Sequence, residues 1–294
     1  MNNLDKKVSD FIEHHKTYPS VINRIPTPHF KFIGEDIWNK SVTALLAKKN
    51  ILLVGEKSTG KNVLAENLAA YFKRPLWDIS FNVNIDTASL IGADTLKNGQ
   101  VEFQEGPIYQ CAKYGGFGVL DEINMAKNEA MAVLHSTLDF RRSIDIPGYD
   151  KIFLDDATRF IATMNYGYAG TRDLNEALLS RFVVIEMPAL SADQLEKLIL
   201  REFPNISPEY AKQFAGLFID MKKKALAGEV STSCMDIRGF LDAISLVDNG
   251  LSVIQALEMA IVNKSFDHFE RDLLTDVIKG RFTPDQKREQ VFLS

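Results

Sequence analysis

The stretch Gly55-Glu56-Lys57-Ser58-Thr59-Gly60-Lys61-Asn62 constrains this chain more than any other. It follows the apolar run Ile51-Leu52-Leu53-Val54 and precedes a segment with Leu64, Leu68 and Phe72 at four-residue spacing. The run reads as a buried strand, and the stripe as one buried face of a helix. Glycines let backbone N–H groups wrap around phosphate oxygens, and the helix N-terminus adds a favourable dipole. Gly-x-x-x-x-Gly-Lys in a strand–loop–helix setting is the P-loop arrangement, with Lys61 reaching the terminal phosphates as a point charge. The candidate nucleotide contacts are Gly55, Glu56, Lys57, Ser58, Thr59, Gly60, Lys61, Asn62 and Val63. One position departs from the pattern. Asn62 stands where Ser or Thr normally ligates magnesium, although an amide carbonyl can also coordinate a hard cation.

Further motifs follow in an order that suits phosphate chemistry. Sixty residues beyond Lys61 the run Gly116-Phe117-Gly118-Val119-Leu120 ends in Asp121-Glu122. Asp121 would hold the water shell of a magnesium ion, and Glu122 would orient and polarise an attacking water. Phe160-Ile161-Ala162-Thr163-Met164-Asn165 is a strand ending in an amide that could touch that water or the γ-phosphate; Asn at a strand end is also ordinary turn chemistry. Leu174 to Phe182 places Arg181 immediately before the last apolar run. An arginine at a γ-phosphate contributes roughly 10³–10⁵ in rate. Its plainer reading is a surface cation at a helix C-terminus.

Five short apolar runs, at 51–54, 76–79, 117–120, 159–162 and 183–185, alternate with helical patterns. Runs apolar on both faces suit a parallel sheet covered by helices on both sides, hence a three-layer α/β domain. Helical patterns also precede the sheet, from Val8 to Lys16 and from Ile37 to Lys48, with Pro19, Pro26 and Pro28 between them. After Met187-Pro188 only helices are expected. Ser191-Ala192-Asp193-Gln194 is a capping box opening a helix to about Phe203, and Ser207-Pro208 opens another that Gly228 can stop. Asp236 to Val247 and Leu251 to Val262 continue the pattern, with Gly250 between. The expected division is an arm over 1–32, an α/β nucleotide-binding domain over 33–188, and a small all-helical domain with its tail over 189–294.

In the order P-loop, Asp-Glu, Ala-Thr-Met-Asn, Ser-Arg-Phe, the chain resembles the AAA+ ATPases, specifically the MoxR group and its dynein-related, CbbQ/NorQ-like relatives. The supporting residues span about 33 to 190, and the helical remainder is similar to the family's lid domain. The resemblance implies that Ile33 and Gly34 line an adenine pocket, that Asn165 is the sensor 1 residue, and that Arg181 is an arginine finger acting on a neighbouring subunit's nucleotide. In Met235-Asp236-Ile237-Arg238-Gly239, Arg238 is the candidate sensor 2 arginine, with Arg201 an alternative that no motif excludes. It also implies a homo-oligomeric ring, most often hexameric, using ATP and Mg2+, with Asp121 and Asn62 as metal ligands. Residues 89–107, with the turn signal Lys97-Asn98-Gly99-Gln100, resemble the group's helix 2 insert. Residues 142–149 resemble its pre-sensor hairpin. In the family such inserts face the ring's central surface and grip clients, often a partner with a von Willebrand factor A domain.

Charge and composition narrow the partners. With 34 basic and 39 acidic side chains the net charge is −5, which argues against bulk nucleic-acid binding. Lys222-Lys223-Lys224 falls late in a helix, where cations complement the dipole. Cys111 and Cys234 are far apart and lack partners at metal spacing, and His14-His15 has no third ligand nearby. No run reaches the ~18 apolar residues of a membrane span, and no secretory pattern is visible, so a cytoplasmic protein is expected. The reading is an ATPase that remodels a partner protein. The alternatives are an NTPase motor of a nucleic-acid restriction system and a nucleotide-gated interaction module with little turnover.

Overall fold

Each of the five apolar runs forms a strand, and all five pair in parallel in one sheet. The computed structural model describes every residue except 1–2, 147, 166–173, 232–235 and 294. Cys234 and Met235, named above, and position 147 of the 142–149 segment lie outside the described residues. The chain divides into two compact units, Met1–Pro188 and Ala189–Ser294.

In the first unit the strands are β1 (Asn50–Gly55), β2 (Leu76–Ser80), β3 (Gly92–Lys97), β4 (Gln100–Glu105), β5 (Phe117–Asp121), β6 (Ser143–Ile144), β7 (Ile152–Phe153), β8 (Arg159–Met164) and β9 (Phe182–Met187). The parallel sheet runs β2-β5-β8-β1-β9. Buried residues on its two faces form separate clusters. On one, Ile51, Leu53, Val119 and Ile161 meet Leu64 and Leu68 of the helix Lys61–Tyr71 and its C-cap Phe72; on the other, Leu52, Leu120, Phe160 and Ala162 meet Ile108 and Leu134. Strands covered on both faces cannot alternate apolar and polar, which is why the runs read as continuous.

The strand order leaves β1 between β8 and β9. Chains leaving β1, β5 and β8 therefore emerge at one carboxyl edge, the place where open parallel sheets hold ligands. Lys97-Asn98-Gly99-Gln100 closes the β3–β4 hairpin, with Asn98 at φ 53° and Gly99 at φ 81°. Both turn residues are left-handed, as a two-residue turn matched to strand twist requires. The second hairpin is shorter and wider than its sequence suggests: β6 pairs Ser143 with Phe153 and Ile144 with Ile152, so its return strand lies beyond Tyr149.

The N-terminal helix spans Asn3–His14, starting earlier than its pattern, and buries Val8 and Phe11. Two buried arginines hold this region through main-chain oxygens. Arg74 donates to His15 O at 2.6 Å and Gly115 O at 2.7 Å, and Arg159 donates to Leu45 O at 2.8 Å. Burial lowers the Arg159 pKa to about 10. A second helix, Glu35–Leu46, leads into β1.

The second unit packs Ala192–Glu202, Pro208–Leu226, Ile237–Asp248, Val253–Ala260 and His268–Lys279 around Phe214, Phe218, Ile244, Leu257 and Phe282. Ser191 and Gln194 form a reciprocal capping box. Ser252 caps Val253–Ala260, so that helix starts two residues after the expected Leu251 and stops two before Val262. His268–Lys279 was not read from the sequence.

Candidate functional site

The loop after β1 wraps around its own lysine. Gly60 takes φ 85° and Ser58 φ 64°, turning the chain into the helix at Lys61. A Cβ at Gly55 would stand 2.6 Å from Met187 O, so only glycine lets the loop leave between β1 and β9. Lys61 is 7% exposed, and its ammonium donates to Glu56 O at 2.7 Å and Gly55 O at 3.0 Å. Burial lowers its pKa to about 8, against the raising effect of Asp121, Glu122 and Glu56.

The carboxylates lie within reach of this loop. Asn62 Nδ2 donates to Asp121 Oδ2 at 3.0 Å, and the Thr163 hydroxyl donates to Asp121 Oδ1 at 2.5 Å. Glu122 is exposed and left-handed at φ 53°, an uncommon conformation for a non-glycine residue and one that recurs at working sites. Asn165 Nδ2 donates to Glu122 Oε1 at 3.0 Å, and Asn124 Nδ2 to Asn165 O at 3.0 Å. The side-chain oxygens of Asn124 and Asn165 are buried without a partner. Five expected residues, Lys61, Asn62, Asp121, Glu122 and Asn165, thus stand in one connected neighbourhood.

Arg181 is placed differently from an outstretched arginine. Its Nε donates to His135 O at 3.1 Å, its Nη1 to Ala177 O, and Nη2 lies 3.8 Å from Asp139 Oδ2. Asp139 also pairs with Arg141 at 2.5 Å, and these contacts hold its carboxyl below the usual range. Gly34, at φ 149°, caps the helix Glu35–Leu46, and Phe32 packs near both Gly34 and Gly60. Ile33 is half-buried in the same segment. In the helical unit Arg238 is exposed at a helix start, and Arg201 pairs with Glu202 at 2.8 Å.

Among the described residues no cluster of His, Cys, Asp and Glu is suited to a metal, and no helix is long and apolar enough to cross a membrane. Cys111 is fully buried, and burial pushes its thiol pKa up. His15 packs against Phe11, with ring centroids 4.6 Å apart and planes tilted by 51°. Lys224 pairs with Glu229 at 2.8 Å.

Two functional groups escaped the sequence reading. Thr163 lies inside a quoted motif, but nothing in its spacing gives it a role. Asn67 accepts from Phe32 N at 3.3 Å and donates to Phe30 O and Val63 O at 2.8 Å, tying the segment before Ile33 to the P-loop helix.

The AAA domain of the dynein-related subfamily matches residues 50–182. Uncharacterized protein YojN of Bacillus subtilis is 32% identical over 90% of this chain and 88% of its own length. Uncharacterized protein SAUSA300_1302 of Staphylococcus aureus is 32% identical over 86% of this chain and 98% of its own. Among solved structures, the RuvB Holliday junction branch migration motor of Thermotoga maritima shares the fold with TM-score 0.51 and 16% identity, over 88% of this chain and 73% of that one.

Proposed function

This chain belongs to the dynein-related AAA+ ATPases, and from that membership we propose that it hydrolyses ATP in a homo-oligomeric ring and spends the energy remodelling a partner protein. The observation that carries the reading is the contact between Asn165 and Glu122 at the carboxyl edge of the sheet, beside the P-loop lysine.

In this reading the loop 55–63 holds the triphosphate through its N–H groups, with Lys61 turning from the loop carbonyls to the terminal phosphates. Ile33 and Gly34 border the base. Glu122 takes a proton from water as the water oxygen bonds to the γ-phosphorus and the bond to the β–γ bridging oxygen breaks, leaving ADP and phosphate. Asn165 keeps Glu122 aimed through its amide nitrogen. Asp121 offers carboxylate oxygens and Asn62 an amide oxygen, donors that fit a hard divalent cation, while the Asn62 nitrogen donates to Asp121. Mg2+ bound there would offset charge on the transferring phosphoryl group. Arg181 is assigned to the neighbouring subunit's phosphate and Arg238 to sensor 2. A ring, hexameric by family habit, follows because Arg181 would serve a neighbouring subunit's site. The negative net charge favours a protein client in the cytoplasm, such as a von Willebrand factor A domain protein, over nucleic acid.

ATP and GTP turnover measured against protein concentration, beside Glu122→Gln and Arg181→Ala, tests this. Turnover per subunit is expected to rise with assembly and to fall at least about a hundredfold in both variants. Wild-type turnover no higher than that of Glu122→Gln would leave the second reading, a nucleotide-gated interaction module, which the Asn62–Asp121 hydrogen bond favours.

A further inference from the structure

We propose that Thr163 is a positioning residue that sets Asp121 and Glu122 as a pair and thereby governs how Asp121 meets a divalent cation. The proposal rests on the hydrolytic reading above for its kinetic consequence, but not for its cation-binding one.

Thr163 is fully buried in β8, opposite Leu53 of β1. Its predecessor Ala162 pairs with Leu120, so Thr163 stands beside Asp121, the last residue of β5. A hydroxyl has one proton to give and two lone pairs to receive with. An ionised carboxylate only accepts, so the proton goes to Asp121 Oδ1 at 2.5 Å, and a lone pair accepts the N–H of Glu122 at 3.0 Å. One buried oxygen atom therefore spans both residues of the acidic pair, and its polarity has a single solution.

Each contact constrains a different freedom. Bonding Oδ1 stops rotation of the Asp121 carboxylate and leaves Oδ2 as the oxygen on the P-loop side. There Asn62 meets it, and because the carboxylate accepts, the amide must present its nitrogen, leaving its own oxygen for other partners. The second contact anchors the backbone of Glu122 in a left-handed conformation that a non-glycine residue avoids unless its surroundings hold it. Thr163 thus joins the cation-facing oxygen, the Asn62 amide and the aim of Glu122 in one hydrogen-bonded unit.

Valine fills the same space without proton or lone pair, so Thr163→Val removes the unit and keeps the packing. Binding of mant-ATP to the Glu122→Gln full-length protein is titrated with MgCl2 and repeated in EDTA, with and without Thr163→Val. Steady-state turnover is compared in the otherwise native chain. The expected result is a several-fold rise in the Mg2+ concentration giving half-maximal binding, with affinity in EDTA unchanged, and a roughly tenfold or larger fall in kcat with KM within about threefold. Thr163→Ser, which keeps the hydroxyl, is expected to restore both. Thr163→Ala gives the same answer should valine disturb the fold. An unchanged Mg2+ midpoint overturns the proposal, as does an equal loss of affinity in EDTA, or failure of serine to rescue. A wild type without turnover overturns the hydrolytic reading instead, and the Mg2+ titration still decides the role of Thr163.

Discussion

Replacing Lys61 with methionine should separate what this lysine does for binding from what it costs the fold. Lys61 as a whole is 7% exposed, and desolvation lowers its pKa from 10.5 to about 8. The native state therefore releases the proton more readily than the unfolded chain. Below pH 8 both states hold it, and folding carries the full penalty. As pH rises from 8 towards 10.5, the native state sheds its proton first and stability increases. Linkage between those two values gives a gain on the order of 1 kcal/mol from pH 7 to pH 9 and roughly 2–3 kcal/mol by pH 10. Tyrosine and cysteine groups titrate in the same range, so the quantity to measure is the difference between wild type and Lys61→Met, from which their common contributions cancel. Both tryptophans, Trp38 and Trp77, lie in residues 1–188, so urea unfolding followed by their fluorescence reports the unit that holds Lys61. Nucleotide-free protein is measured at several values from pH 6.5 to 10. The wild type should gain on the variant along that series, with the steepest gain above pH 8. A difference that stays flat within about 0.5 kcal/mol, or that moves the other way, refutes the burial argument.

Two further substitutions test local packing and the attachment of the segment before Ile33. A Cβ at Gly116 would stand 2.5 Å from Trp77 Cε3 and 2.9 Å from Pro75 O, so Gly116→Ala should destabilise the first unit by about 1–3 kcal/mol in the same urea assay; a loss below about 0.5 kcal/mol would show that the indole can move aside. Asn67→Ala removes the hydrogen bonds to Phe30, Phe32 and Val63, and trypsin cleavage after Lys31 should accelerate about tenfold, whereas an unchanged rate would mean that packing of Phe32 suffices.

What the sequence disclosed follows from the range of the forces involved. Strands buried on two faces announce themselves as apolar runs, and the P-loop announces itself through glycines that local backbone geometry requires. The Ser191 capping box and the Asn98-Gly99 turn are likewise local, and both formed as their residues dictate. Helix His268–Lys279 was missed because it buries only Leu274 and Ile278 among charged neighbours, a stripe too thin to stand out. Thr163 was missed for another reason. Its two partners lie 41 and 42 residues away, joined only because β5 and β8 became neighbours in the sheet. Arg181 shows the same limit: its place in the sequence suggested reach, whereas its contacts with His135 and Asp139 depend on a helix some 40 residues upstream.

The two buried arginines carry a consequence for how relatives of this chain will look. Arg74 grips the carbonyls of His15 and Gly115, and Arg159 grips that of Leu45. A carbonyl oxygen is supplied by any amino acid, so the side chain at position 15 can change without loosening the grip of Arg74, whereas Leu45 is held by its own burial in the core. Correlated substitution, the usual trace of spatial contact, should therefore be silent for these pairs even though they join segments far apart in the chain. The attachment of the chain around residue 15 would then leave arginine at 74 as its polar trace, beside the buried Val8 and Phe11.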